Sequence, residues 1–366
     1  MGPRVGYGLT VCFGLSSWVT INGIFSILPL IIDRVPEGWA IASTLGLAVQ
    51  AANVGPLVYR MSRESFAAIH VVVYAILGLG ILSMLLLAGY WNVTAEILGA
   101  RCSVVLVACT FAAALSDCTS SLVFWPFVGA LSPAMVSGLA LGESLSGVVA
   151  SAVSWIGLTP SGSFCALAAV LLVSGAAFRV LAREAKSAAN SEIAAATEAL
   201  VARKADSPTF CYFVVGVMSL LENAVLPSVL PYATARYSKR DYHVASTIPV
   251  GSLALLSLVC CQPPRAALAS TAAGAAGAVS IIVATGLGSL DLGSGATIFT
   301  VLLAKALLAY SKAASMYHLK VGVADSVKAQ RNLEKAGGLM QVWSFGGAII
   351  MFVLTRCLTA FPAQKA

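Results

Sequence analysis

The chain has 366 residues, of which 59% are hydrophobic and only 10% charged, with a formal net charge of +7. Soluble domains carry about a quarter charged residues, so this chain could not cover a water-facing surface, and a soluble enzyme or binding domain is excluded. The positive charge is not gathered on one stretch, so it gives no nucleic-acid footprint. Apolar stretches of about 20 residues instead predict an all-α, polytopic membrane helix bundle. About eleven transmembrane helices are expected, at 5–32, 39–59, 66–90, 97–128, 133–157, 163–181, 208–236, 241–262, 266–290, 293–319 and 337–358.

The first stretch is too long for a cleavable signal peptide, and it carries Trp18 and Asn22. Gly6 stands where a myristoylation signal needs Ser or Thr, so the first span is expected to belong to the bundle. The second span holds Gln50 and Asn53 just before Gly55-Pro56. Asn92-Val93-Thr94 is a glycosylation sequon so close to a span that an unmodified polar loop is the preferred reading. The fourth span contains Ser116-Asp117-Cys118-Thr119-Ser120-Ser121, followed by Trp125-Pro126. In the fifth, Gly138 and Gly142 allow close helix approach, and Gly142-Glu143-Ser144-Leu145-Ser146-Gly147 follows at once.

A segment at 183–207 interrupts the apolar pattern with Arg183, Glu184, Lys186, Glu192, Glu198, Arg203, Lys204 and Asp206 in an Ala-rich background. The charges cancel, and alanine favours a helix lying near the inner membrane surface. The predicted organisation is therefore a six-helix bundle at 1–182, a cytoplasmic amphipathic linker at 183–207 and a five-helix bundle at 208–366. This 6+5 arrangement suits two bundles closing around a midplane site. Beyond the linker, Glu222-Asn223 precede Leu226-Pro227-Ser228, and the tenth span carries Lys305, Tyr310 and Lys312.

A carboxylate at mid-bilayer costs about 2.5–3.5 kcal/mol on insertion scales. Asp117, Glu143 and Glu222 are therefore read as functional, facing a cavity or the bundle interior. Blander roles compete for the others. Asn53, Ser120 and Ser121 suit helix–helix hydrogen bonds. Lys312 suits a structural ion pair, Lys305 suits snorkelling to an interface, and Trp18 and Trp125 suit packing or interfacial anchoring. Lys and Arg favour the segments that face the cytoplasm if the N-terminus is inside, among them Arg4, Arg60, Arg63, Arg179, Arg183, Lys320 and Lys328. Arg236, Lys239 and Arg240 run against that bias. The expected placement is a multi-pass protein with a cytoplasmic N-terminus and an extracellular C-terminus.

Several ordered motifs then converge on one family. Asn22-Gly23 with Leu28-Pro29-Leu30 comes first, then Pro36-Glu37-Gly38-Trp39 and Gln50-Ala51-Ala52-Asn53-Val54-Gly55-Pro56-Leu57. The Ser116–Ser121 cluster with Trp125-Pro126-Phe127 follows, then Gly142–Gly147, Val225-Leu226-Pro227-Ser228-Val229, Tyr242-His243 and Tyr310-Ser311-Lys312. In these stretches the chain resembles the eukaryotic riboflavin transporter family, solute carrier family 52. The resemblance implies a major-facilitator or nucleoside-transporter-like fold in the plasma membrane. It also implies facilitated riboflavin uptake without ATP, with pH sensitivity as a variant.

The resemblance carries a substrate-binding role to Asn22, Gln50, Asn53, Asp117, Thr119, Glu143 and Asn223, and the residues themselves add Glu222, Tyr310 and Lys312. Two departures stand beside Asn223. Glu222 replaces the family's Thr and Ala224 its Gly, which opens substrate preference or proton coupling to change. Ser144 also replaces a family Gly after Glu143, which stiffens that helix.

Competing classes find less support. Gly142–Ser146 lacks the last glycine of a nucleophile elbow. The three histidines are scattered, the nine cysteines form no Cys-x-x-Cys pair, and there is no phosphate loop. No cofactor, metal, nucleic acid or obligatory protein partner is expected, only riboflavin as cargo and membrane lipid. The alternatives are a carrier of another heterocycle such as a nucleoside, then a membrane-embedded enzyme or receptor.

Overall fold

A computed structural model describes residues 3–61, 69–97, 99–129, 131, 133–188, 208–234, 236–256, 265–321, 326–357 and 361. Helices dominate, as the hydrocarbon environment requires, because a helix satisfies its backbone polar groups within one segment. Helices α1 (Pro3–Gly14) and α2 (Val19–Ile31) are separated by a tight turn at Leu15–Ser17. Next come α3 (Ile41–Ala51), α4 (Val54–Met61) and α5 (Ile69–Tyr90). A small antiparallel hairpin, β1 (Ala95–Ile97) and β2 (Ala100–Cys102), leads to α6 (Val104–Gly129), α7 (Pro133–Trp155) and α8 (Pro160–Ala188). The second half holds α9 (Pro208–Leu220), α10 (Leu226–Thr234), α11 (Lys239–Leu256), α12 (Arg265–Gly286), α13 (Ser294–Val321) and α14 (Ser326–Phe352). A wide π turn, Leu221–Val225, joins α9 to α10, and a second one, Val353–Cys357, follows α14.

Among the described residues, eight helices are long and apolar enough to cross a membrane. The pair Arg4–Ser17 and Val19–Arg34, bent by 54°, makes a ninth if counted as one broken span. The spans expected at 133–157 and 241–262 fall on α7 and α11, which do not meet that test within the described residues. The fourth span starts later than its hydropathy suggests. Gly99 takes a left-handed φ of 78°, the hairpin turns there, and α6 opens only at Val104. Glu37 fixes that start: its carboxylate accepts from the Ser103 N–H and the Ser103 hydroxyl, both at 2.7 Å. A buried anion at a helix N-terminus answers unpaired N–H groups and the helix dipole together. The linker expected at 183–207 begins as helix, since α8 runs to Ala188. Its remainder, 189–207, lies outside the described residues.

The chain divides into two compact units. Unit 1 is Met1–Gly38 with Ala51–Ala194, and unit 2 is Trp39–Gln50 with Ala195–Ala366. The exchanged segment carries α3, so this helix packs with elements far along the chain. Trp39 meets Tyr242 edge-on at 5.7 Å, and the Thr355 hydroxyl donates to Ser43 Oγ at 2.6 Å.

Unit 1 is centred on an aromatic cluster in which Phe13 stacks on Phe178 at 5.1 Å and tilts against Phe124 at 4.2 Å. Val73, Leu77, Val123 and Leu139 pack around it. The close α1–α7 contact depends on glycine. A Cβ on Gly142 would lie 2.2 Å from the Val11 carbonyl oxygen, and one on Gly14 would lie 2.6 Å from that of Leu139. The small-residue pattern at 138–142 is thus the seam between two backbones. In unit 2, Cys211, Val215, Leu319 and Ala336 form a smaller buried cluster, and Gly216 admits the Trp343 ring.

One surface loop is tied electrostatically. Arg236, one of the cations against the charge bias, donates to the Thr285 and Leu290 carbonyls at 3.1 Å each, closing the C-terminal end of α12. Tyr237 donates to Asp291 Oδ1 at 2.6 Å. That bond first, then one from the Gly293 N–H and the Arg236 charge, holds the Asp291 carboxyl below its ordinary range.

Candidate functional site

Many of the candidate polar residues gather at two helix interruptions among the described residues, one in each unit. In unit 1 the break between α1 and α2 leaves the first N–H groups of α2 without helical partners. Asp117 of α6 supplies the acceptor. Its Oδ2 takes the Ile21 N–H at 3.1 Å and the Thr20 hydroxyl at 2.7 Å. The carboxylate is fully buried, at 0% exposure, and Oδ1 has no hydrogen-bond partner among the described residues. The rest of the cluster is structural in the same sense. Ser116 donates to the Ile76 carbonyl of α5 at 2.7 Å, and Ser120 donates to the Asp117 carbonyl at 2.7 Å and reaches Ser17 O at 3.4 Å. Thr119 turns back on Leu115 O at 2.6 Å, against the face where Gly55 lies.

Beside this staple lies a more accessible group. Trp18, in the break itself, donates its indole N–H to Glu143 Oε1 at 3.1 Å. The Trp125 indole also bonds to the Glu143 carboxylate. The Asn22 amide reaches Ser146 Oγ at 3.4 Å, and Ser146 in turn donates to the Glu143 carbonyl at 2.7 Å. Trp18, Asn22, Trp125 and Glu143 are all half-buried. Two indole faces, an amide and a carboxylate therefore stand together at one helix break, able to stack on a flat ring and to exchange hydrogen bonds with it.

In unit 2 the interruption is the π turn at Leu221–Val225, which carries Glu222 and Asn223. A π turn widens the helix by one residue and disturbs the backbone ladder, a frequent feature of functional sites. Lys312 of α13 meets Glu222 Oε2 at 2.5 Å, and both side chains stay partly exposed, at 25% and 20%. Asn223 donates to Ser344 Oγ at 3.1 Å, and Ser344 donates to the Ser219 carbonyl at 3.1 Å. Close α9–α14 packing lets this happen, since a Cβ on Gly347 would lie 2.9 Å from Leu220.

With this geometry in view, the comparisons with known proteins are specific. The family model of the solute carrier family 52 riboflavin transporters matches residues 5–159 and 182–363. The chain belongs to this family. A riboflavin transporter, member 3, from Bos taurus is 41% identical over 150 residues, covering 40% of this chain and 32% of that protein. The matched region thus spans about a third of that relative's length. Member 3-B from Danio rerio aligns almost end to end, at 26% identity over 97% of this chain and 96% of the relative. Among solved structures, a bacterial homologue of the human lysosomal transporter Spinster, inward-facing and occupied, superposes with a TM-score of 0.62 at 12% identity. It covers 98% of this chain and 83% of the other. The fold is that of major-facilitator-type transporters, and the protein is a multi-pass membrane protein.

Seven of the ten residues expected to meet substrate fall into three groups, and Gln50, Asn53 and Tyr310 stand apart from them. Asn22 and Glu143 sit together at the unit 1 break, and Glu222, Asn223 and Lys312 at the unit 2 π turn. Tyr310 is half-buried two positions before Lys312, and Gln50 is buried in unit 2 while half-buried Asn53 belongs to unit 1. Asp117 and Thr119 form the third group, occupied by bonds to their own unit. No surface of the Asp117 carboxylate is exposed, and its two bonds hold the start of α2.

Three further corrections follow. Trp18 and Trp125 are hydrogen-bond donors to Glu143 as well as packing groups. Lys305 does not lie on the exposed face of α13, as described below. Thr20 and Glu37 were not singled out for any role. For Thr20 the signal was available only as a hydroxyl in a span beside Trp18, and for Glu37 as an acid in an otherwise apolar motif.

Proposed function

We propose that this protein is a facilitative plasma-membrane carrier that takes up riboflavin by alternating access, with its N-terminus cytoplasmic and its C-terminus extracellular. Membership of the riboflavin transporter family over most of the chain carries the reading. Riboflavin joins a flat ring, edged by imide donors and acceptors, to a chain of hydroxyls. Asn22, Gln50, Asn53 and Asn223 both donate and accept, which suits imide edges and hydroxyls alike. The Trp18 and Trp125 faces suit the ring, and Tyr310 offers another. Glu143 is an acceptor within unit 1, its geometry fixed by two indoles. Glu222 and Lys312 offer an acceptor and a donor within unit 2.

Asp117 acts through the backbone. By holding the α2 N-terminus it sets where Trp18 and Asn22 stand. Affinity must remain modest, because a carrier has to release what it binds. Paired acid–base groups that can part without leaving the site suit that requirement.

Uptake of labelled riboflavin into cells that lack their own carrier tests the proposal, competed with unlabelled riboflavin and with a nucleoside panel. Saturable uptake blocked by riboflavin and not by nucleosides is the expected result. Blocking by nucleosides alone would transfer the reading to another heterocycle. No flux, with the protein present at the cell surface, would refute it.

A further inference from the structure

We infer that unit 2 carries an oxyanion-binding subsite on α13, built on Lys305 and Lys312, that accepts a phosphomonoester or a free phosphate ion. The inference deepens the transport reading and rests on it only where the anion is part of the cargo. Lys305 and Lys312 are seven residues apart, about two helical turns, so both lie on one face of α13. That face is the inward one: Val301, Leu308 and Ser315 share it and are buried, whereas Phe299 and Leu303 on the other side are 65% and 42% exposed. Lys305 itself is half-buried. A snorkelling lysine would share the exposed face.

Charge then decides what the site lacks. Among the described residues of the apolar spans in this unit, Glu222 is the one acidic side chain, and Lys312 already holds it at 2.5 Å. Lys305 feels the Glu222 charge but makes no hydrogen bond or ion pair among the described residues. Among the described residues the two ammonium groups of α13 thus share one carboxylate, and an uncompensated positive charge is expensive inside a bundle. A bound anion compensates it. Ammonium groups offer three donors each. A ligand group with several acceptor oxygens satisfies these donors better than a halide. A phosphomonoester does so through charge-assisted bonds.

The test uses the purified full-length protein in lipid nanodiscs, with thermal stability as the readout and two probes, riboflavin 5′-phosphate and inorganic phosphate. The expected result is stabilisation by riboflavin 5′-phosphate at lower concentration than by riboflavin. In Lys305→Gln that preference should fall about tenfold, or about 1.4 kcal/mol, and in Lys305→Arg it should be kept. Stabilisation by inorganic phosphate alone, lost in Lys305→Gln, would place a free anion in the same subsite. No stabilisation by either probe, or stabilisation that survives Lys305→Gln, would overturn the inference. The readout is binding, so a protein that fails to carry riboflavin yet shows Lys305-dependent phosphate binding would refute the transport reading and leave this one standing.

Discussion

The two helix interruptions face the same difficulty with opposite means. At the break in unit 1, Asp117 is sealed from solvent and its work is done by neutral donors, a hydroxyl and a backbone N–H. At the π turn in unit 2, Glu222 is partly open and is balanced by a full opposite charge on another helix. The first arrangement needs an acceptor of the right shape. The second needs a charge. A sealed acceptor is scaffold, whereas a partly exposed ion pair can exchange one partner for a ligand.

This contrast is open to direct attack, and the largest effect belongs to Asp117. Removing it as Asp117→Ala orphans two buried donors at about 1–3 kcal/mol each, so a fall of about 2–6 kcal/mol in stability is expected by thermal or denaturant unfolding in detergent. Asp117→Asn keeps an acceptor and should cost under about 1.5 kcal/mol. An Asn variant as damaged as the Ala variant would show that charge matters here too, and the contrast would collapse.

At the π turn the neutral exchange should not rescue. Glu222→Gln and Glu222→Ala both strand the Lys312 ammonium, at about 2–3 kcal/mol once the partial exposure of the pair is allowed for. The double variant Glu222→Gln with Lys312→Gln should recover most of that loss in the same unfolding assay. Next in size is the α1–α7 seam. Gly142→Ala drives a methyl into the Val11 carbonyl and should cost about 1–3 kcal/mol through forced backbone separation. Gly8→Ala, where nothing lies within 4 Å of the added carbon, serves as its silent control.

The smallest effect is a pH dependence outside the spans. The Tyr237 hydroxyl, the Gly293 N–H and Arg236 lower the Asp291 carboxyl in the folded protein. Their stabilisation is therefore present above the unfolded carboxylate value of about 3.9 and is lost as pH falls through the lower folded value. Amide exchange at 285–293 should quicken in acid over that range, and Tyr237→Phe should flatten the response.

Much of this was legible in the sequence. The polar residues stand out because they are costly where they stand, and the expected spans fall on helical segments, of which eight or nine are long and apolar enough to cross a membrane among the described residues. The helix partners were not legible, because they depend on pairings across long separations: Thr20 with Asp117 over 97 residues, Lys312 with Glu222 over 90. Hydropathy registers that a carboxylate sits in a span, yet it carries no information about which atoms surround it. For that reason Asp117 and Glu143 looked alike in the sequence and differ in the fold. The hairpin before α6 escaped for a related reason, since Ile97 and Val104–Val107 read as one apolar run until Gly99 turns the chain.

The exchange of α3 bears on how the protein is made. Ser43 and Thr355 bond to each other across 312 residues of chain. At a synthesis rate of about 5–20 residues per second, α3 leaves the ribosome roughly 15–60 seconds before its C-terminal partner exists. For that interval it waits without the partner that Thr355 supplies, joined through Gly38 and Ala51 to the segments of unit 1. The Tyr242 ring against Trp39 arrives earlier, with α11, and the Thr355 bond completes the set last. A nascent chain stopped short of Thr355 would offer quality-control machinery a helix near its beginning with that bond unmade, however well the rest of its first half had formed.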